Sequence, residues 1–220
     1  MKPLTYSKFI MDSIAAIPFG QPFETGIIAL ALAQAYALPI DRAKLITNVN
    51  LKRLADRGAI DRFRKGVYYR SQQTVFGKAR PSEDILEAHL LTRAGDQIIG
   101  YETGLFLMNK LGITTLVPKK REIVTNAYRR DVSDQYTTVR KPVVAVNADN
   151  YRYLQLLDMV RDLSKTPVDA QDPKDLLRAF AKNNGLNTME ALTYAKKYYP
   201  KRTWGSLVDL LVRGNEYESA

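Results

Sequence analysis

Eight side chains between residues 42 and 65 are of the types that reach phosphate oxygens and hydrogen-bond base edges in the major groove of a duplex: Arg42, Lys44, Asn48, Lys52, Arg53, Arg62, Arg64 and Lys65. Their spacing divides them into two sets. The first five lie in "PIDRAKLITNVNLKRLADRG", residues 39–58, a helix-forming run with proline where a helix opens and glycine where it closes. Ala43, Thr47, Leu51 and Leu54 recur near the 3.6-residue period and can pack inward, which turns the cationic residues outward. The other three lie in "AIDRFRKGVYY", residues 59–69, where two stretches of β-branched and aromatic residues flank the basic turn Arg64-Lys65-Gly66. Helix, glycine, strand, basic turn, strand is the tail of a winged helix-turn-helix, which sets a helix in the major groove and a charged loop beside the backbone. The competing assignment is a solvated basic helix beside an ordinary hairpin.

Charge favours the first. From Arg42 to Arg80 there are eleven Lys and Arg against Asp56 and Asp61, a net of +9 out of +10 for all 220 residues. Positive charge confined to one segment is the footprint of polyanion binding. A second basic stretch, residues 119–141, has seven basic residues against three acidic ones. Lys119, Lys120, Arg121, Arg129 and Arg130 are either a second phosphate-contacting surface or solvated hairpin ends.

Other chemistries find less support. The absence of cysteine excludes disulfides, thiol catalysis and cysteine-ligated metal, and a single histidine, His89, is too few for a His-rich metal site or a His-based triad. Ser82 and His89 can share a helix face, but no third member or oxyanion device accompanies them, and His89 reads as a half-buried structural residue. Glu102, Glu122, Asp131 and Asp134 have no metal-binding spacing, and Asp172-Pro173-Lys174-Asp175 is a helix cap. No catalytic residue, metal or cofactor is assigned. The longest apolar run, residues 27–33, falls far short of the roughly 20 residues that span a bilayer, and Asp12 interrupts the first apolar stretch. A cytoplasmic, non-membrane protein is expected.

The elements that must hold these residues follow in order. Helices are expected at about 7–17 and 26–37, the second so apolar that it must be sandwiched, with the first helix and the 39–58 helix as its covers, and with a short strand at 23–24 beside the wing. A connection with a strand at 74–76 leads to a helix at about 82–93, then a short helix at 103–111 and strands at 113–117, 122–125, 137–139 and 143–146 in a small antiparallel sheet. Helices at 151–163, 172–182, 188–198 and 203–212 complete the chain, with Thr203 as a cap and Trp204 as a packing anchor. The fold class is α+β: a winged helix-turn-helix over residues 1–70, then a domain over 71–220 with an α/β part to 147 and a helical part from 148.

At "AIDRFRKGVYY" and "GYETGLFLMNKLGITTLVP" the sequence resembles the AbiEi-type antitoxins and transcriptional regulators of bacterial type IV (abortive infection) toxin–antitoxin systems. Arg64 to Tyr69 matches their basic-Gly-aromatic wing. Residues 100–118 match their Gly-Tyr, Thr-Gly, Leu-Gly-Ile-Thr-Thr and Val-Pro series, with "EIVTN" after it. The resemblance implies a winged helix that binds inverted repeats in double-stranded promoter DNA and represses its own operon. It also implies a C-terminal domain that neutralises a nucleotidyltransferase-like toxin without a stable complex. The residues themselves leave two alternatives open, a nucleic-acid-processing enzyme targeted by the winged helix and a protein-binding winged-helix module.

Overall fold

The Thr5 hydroxyl accepts the N–H of Lys8 and so opens helix α1 (Tyr6–Ala15), in a computed structural model that describes residues 5–129 and 136–212. The chain divides into two units, Met1–Leu90 and Leu91–Ala220.

In the first unit α1 is followed by strand β1 (Pro22–Glu24), helix α2 (Thr25–Tyr36) and helix α3 (Ile40–Asp56). The three helices bury Ile10, Ile14, Ile28, Leu32, Ala43 and Leu51 in one core. Strands β2 (Asp61–Arg64) and β3 (Val67–Tyr69) form an antiparallel sheet with β1 in the order β1-β3-β2, and Phe23 and Tyr68 join that core. As its apolar composition suggested, α2 packs against both α1 and α3. Ile28, Ala29 and Leu32 are buried, but Ile27 is 40% and Leu30 53% exposed, because α1 and α3 cover only one side of it.

Residues 37–39 join α2 to α3. Ala37 has φ 50, the one non-glycine residue with positive φ among the described residues. α3 ends in paired capping bonds, Ala59 N–H to the Leu54 carbonyl and Gly58 N–H to that of Ala55, with Gly58 at φ 73. Beyond the sheet, the expected strand at 74–76 is instead a second hairpin, β4 (Gln72–Thr74) and β5 (Gly77–Ala79), with Val75 and Phe76 at its tip. The Thr74 hydroxyl donates to the Gly77 carbonyl and accepts the Phe76 N–H, which turns the chain there. Helix α4 (Glu83–Thr92) carries Glu83 and Asp84 in its first turn, and the division between units falls within it.

The second unit begins with a short hairpin, β6 (Arg93–Ala94) and β7 (Gln97–Ile98), followed by strand β8 (Gly100–Thr103), helix α5 (Gly104–Lys110), and strands β9 (Arg121–Thr125) and β10 (Thr137–Arg140). The sheet runs β10-β9-β8 and is mixed: β8 and β9 are antiparallel, but β9 and β10 are parallel, which corrects the antiparallel expectation. Residues 126–136 approach the dozen or so that a parallel return needs. Two expected strands are loops because their backbone bonds go to side chains and to loop backbone rather than to a neighbouring strand. At 113–117 the Asp169 carboxylate accepts the Thr115 N–H at 2.8 Å, and the Ile113 carbonyl accepts the Asp169 N–H. At 143–146 the Asn126 amide pairs with both N–H and C=O of Val146 at 2.8 Å, and the Asn150 amide donates to the Ala145 carbonyl.

Helix α6 (Tyr151–Asp162) is buried continuously from Tyr153 to Val160, enclosed by α7 (Pro173–Asn183), α8 (Thr188–Tyr198), α9 (Lys201–Leu211) and β8. Its Asp158 is 2% exposed, and its carboxylate accepts the hydroxyls of Tyr101, Thr103 and Tyr199 at 2.9–3.1 Å and pairs with Arg161 at 2.9 Å. Burial, then the Asp158 charge, pushes both tyrosine hydroxyls far above their usual range. In α9 the expected roles of two residues change. Pro200 holds the cap position, Thr203 is buried, and Trp204 is 37% exposed because Leu207 and Leu210 supply the inward face. The fold is α+β, with small sheets that are antiparallel except at β9–β10, and with C-terminal helices.

Candidate nucleic-acid interface

α3 presents two sides set by its own sequence. Ala43, Thr47 and Leu51 are fully buried, and at about 100° per residue they mark one stripe. Leu54 on the same stripe is half-buried at its end. Arg42, Lys44, Asn48, Lys52 and Arg53 are all exposed. Lys44 lies 3.7 Å from Asp41, one turn earlier, whereas no ion pair joins Arg42, Lys52 or Arg53 to any described residue. Between them sit Leu45 at 68% and Val49 at 48% exposure, on the side of the helix facing away from the core. The sequence reading missed this pair. The signal was present, since both lie off the Ala43/Thr47/Leu51 stripe and so had no inward position.

The turn between β2 and β3 is anchored to the start of α2. Both the N–H and the hydroxyl of Thr25 donate to the Gly66 carbonyl, at 2.8 and 3.1 Å, and Gly66 has φ 78 as this two-residue turn requires. A shift in pairing register between Arg62 and Arg64 marks a bulge in β2. Arg62 and Lys65 are exposed. Arg64 is less available. Its Nη1 donates to both carboxylate oxygens of Glu87 on α4, at 2.9 and 3.2 Å, and its side chain remains half exposed.

Three other basic residues of the first unit, Arg70, Lys78 and Arg80, have structural work. Arg70 Nη1 donates to the Ala15 and Ile17 carbonyls at 2.8 and 2.7 Å, where α1 ends, and its guanidinium lies over Phe19. Lys78 and Arg80 pair with Asp61 at 2.8 and 3.6 Å, and the Ser71 hydroxyl donates to the same carboxylate. Burial pushes the Asp61 carboxyl up, but the hydrogen bonds from Lys78 and Ser71 and the two cations outweigh it, so the group stays below its ordinary value.

The residues of the second basic stretch do not act alike. Lys119, Lys120 and Arg129 are exposed. Arg121 is 13% exposed, bonds Glu102 at 2.8 Å and stacks over Phe106, so it holds the sheet together. Arg130, Asp131 and Asp134 lie outside the described residues. Glu102 is further held by Lys110 at 2.7 Å, and Glu122 lies against Gly104 and 3.5 Å from Arg140. His89 is half-buried on α4. Among the described residues no cluster of three or more His, Asp or Glu can hold a metal ion, and no helix is long and apolar enough to cross a membrane.

These features define an α+β protein of two units, the first of which turns a cationic helix face and a basic turn to solvent. A family profile matches residues 30–145, more than half of the 220 residues, and the chain belongs to that family, DUF6088, a family of unknown function. No curated protein matches it.

Proposed function

We propose that the first unit is a winged helix-turn-helix that binds double-stranded DNA sequence-specifically, with α3 as the recognition helix and the β2–β3 hairpin as the wing. The observation that carries this reading is the solvent face of α3, where Arg42, Lys52 and Arg53 are held by no described acidic side chain and Asn48 stands exposed beside them. Asparagine and arginine can bond purine edges bidentately, and Leu45 and Val49 are suited to thymine methyl groups. Arg62 and Lys65 on the wing contact phosphate, as Arg64 does when released from Glu87.

The resemblance to AbiEi-type regulators extends the proposal. The protein represses its own operon through promoter repeats and acts as the antitoxin of a type IV toxin–antitoxin system, neutralising a nucleotidyltransferase-like toxin and having no catalytic activity itself. Duplex binding is tested by fluorescence anisotropy on the DNA upstream of the protein's own reading frame, against unrelated duplex. N48A is expected to lose the preference between them, and K65A to weaken both equally. Equal effects of the two variants would refute the split of roles. Coexpression with the product of the adjacent frame tests the antitoxin half, which fails if the protein gives no protection from a toxic neighbour.

A further inference from the structure

The tip of the β4–β5 hairpin is the most exposed apolar feature described. Phe76 is 99% and Val75 94% exposed, whereas the next most exposed large apolar side chain, Val117, is at 83%. Single apolar side chains on a surface are ordinary, but this is an adjacent pair on a rigidly held turn. The Thr74 hydroxyl closes the tip with two bonds. The base is fastened to β2 through Asp61, which takes Lys78, Arg80 and Ser71, and Lys78 also donates to the Gly58 carbonyl where α3 ends. Asp61 therefore fixes the position of the tip relative to α3 and its hairpin. Residues 70–82 contain Arg70, Lys78 and Arg80 and no acid.

An aromatic ring held clear of its own protein, on a hairpin whose two cations outnumber the one acid, Asp61, that pairs with them, fits a partner that is anionic outside and flat and apolar within. The stacked bases of a duplex behind their phosphates have that chemistry, and apolar side chains inserted between base steps from the minor groove kink such a duplex. A lipid surface would call for a broader apolar area than one Val-Phe pair. We propose that Val75 and Phe76 form a wedge that enters the base stack beside the segment read by α3, with Phe76 stacking on a base. This rests on the duplex-binding reading and adds a second point of engagement, with DNA bending as its consequence.

The full chain is titrated with a mixed-sequence duplex. F76A removes no internal packing, so the fold is retained. It is expected to bind about tenfold more weakly, from the loss of one aromatic–base stack, with an unchanged dependence on salt because no phosphate contact is lost. In a second variant, F76W combined with W204F, the introduced indole is the only one, since Trp204 is the single native tryptophan. Its emission should be quenched on binding and shielded from acrylamide, and end-to-end energy transfer should report a shorter duplex with wild type than with F76A. If wild type binds with normal salt dependence, yet F76A binds equally well and the indole stays unquenched, the wedge is refuted and duplex binding stands. If wild type shows no salt-sensitive duplex binding, both fall. If F76A instead changes the sedimentation of the free protein, the tip contacts a second copy and the wedge is likewise overturned.

Discussion

Glu87→Gln should make duplex binding tighter and more sensitive to salt, because it releases a cation that the fold currently holds back. Arg64 donates to both oxygens of Glu87 at 2.9 and 3.2 Å, with Arg64 half exposed and Glu87 16% exposed. In the wild type, the exposed cations without an acidic partner on α3 and the β2–β3 hairpin are Arg42, Lys52, Arg53, Arg62 and Lys65. If each neutralises one phosphate, the slope of log K against log salt is about −4.5, which is roughly a 500-fold loss of affinity between 50 and 200 mM salt. Freeing Arg64 adds a sixth contact and steepens the slope by about 0.9, so the loss over the same interval grows by a further factor of about 3.5. The cost to folding is on the order of 1 kcal/mol, because the Arg64 partner is half exposed although Glu87 is not. Anisotropy titrations at four or five salt concentrations measure the slope directly, with a thermal melt to show that the variant is folded. A slope in E87Q equal to or shallower than that of wild type would refute the assignment of Arg64 to the phosphate-facing side of the wing.

Three further outcomes concern the scaffold. Ala37→Gly should stabilise the protein by about 0.5–1 kcal/mol in a urea titration, because alanine at φ 50 carries a left-handed strain that glycine lacks and that exceeds glycine's extra unfolded entropy; a loss of stability would show that the strain is not real. The Asp61 carboxyl lies below its ordinary value when folded, so its contribution is present above the unfolded value of about 4 and is lost as pH falls through the folded one. The difference in melting temperature between wild type and D61N should therefore shrink as pH drops below about 4, and a gap independent of pH would contradict the clamp on Lys78 and Arg80. Asp158→Ala should cost about 3–5 kcal/mol by strand- and helix-sensitive urea unfolding, since it removes the acceptor shared by three buried hydroxyls at a 2%-exposed position and leaves Arg161 with Asp162 alone; a cost below about 1 kcal/mol would mean that the network closes without it.

What the sequence revealed about the fold followed from local signals. The end of α3 at Gly58 and the turn at Gly66 each depend on one residue's backbone preference and stand where that preference put them, whereas Pro39, expected in the first helical position, is the cap residue and α3 begins at Ile40. The misread segments share a different cause. Residues 113–117 and 143–146 have strand composition, but Asp169, Asn126 and Asn150 supply their hydrogen bonds from distant or non-strand positions that no local pattern encodes. The direction of β10 was equally illegible, because pattern and propensity are the same for parallel and antiparallel partners. Trp204 misled for a related reason: in α9 the inward stripe was already filled by Thr203, Leu207 and Leu210.

Net charge, too, says less than the pairing of individual side chains. The sum of +9 between Arg42 and Arg80 treats eleven cations alike, but the fold sorts them. Arg70 is spent on carbonyls at the end of α1, Lys78 and Arg80 on Asp61, and Lys44 and Arg64 on Asp41 and Glu87, acids outside the counted window. The cations that remain without an acidic partner, Arg42, Lys52, Arg53, Arg57, Arg62 and Lys65, belong to α3, its C-terminal cap and the first hairpin. A surface that was basic for solubility alone would have no reason to be sorted in this way. The sorting therefore adds support for a polyanion partner that composition could not supply, and it names the side chains whose removal should matter and those, such as Arg70, whose removal should injure the fold instead.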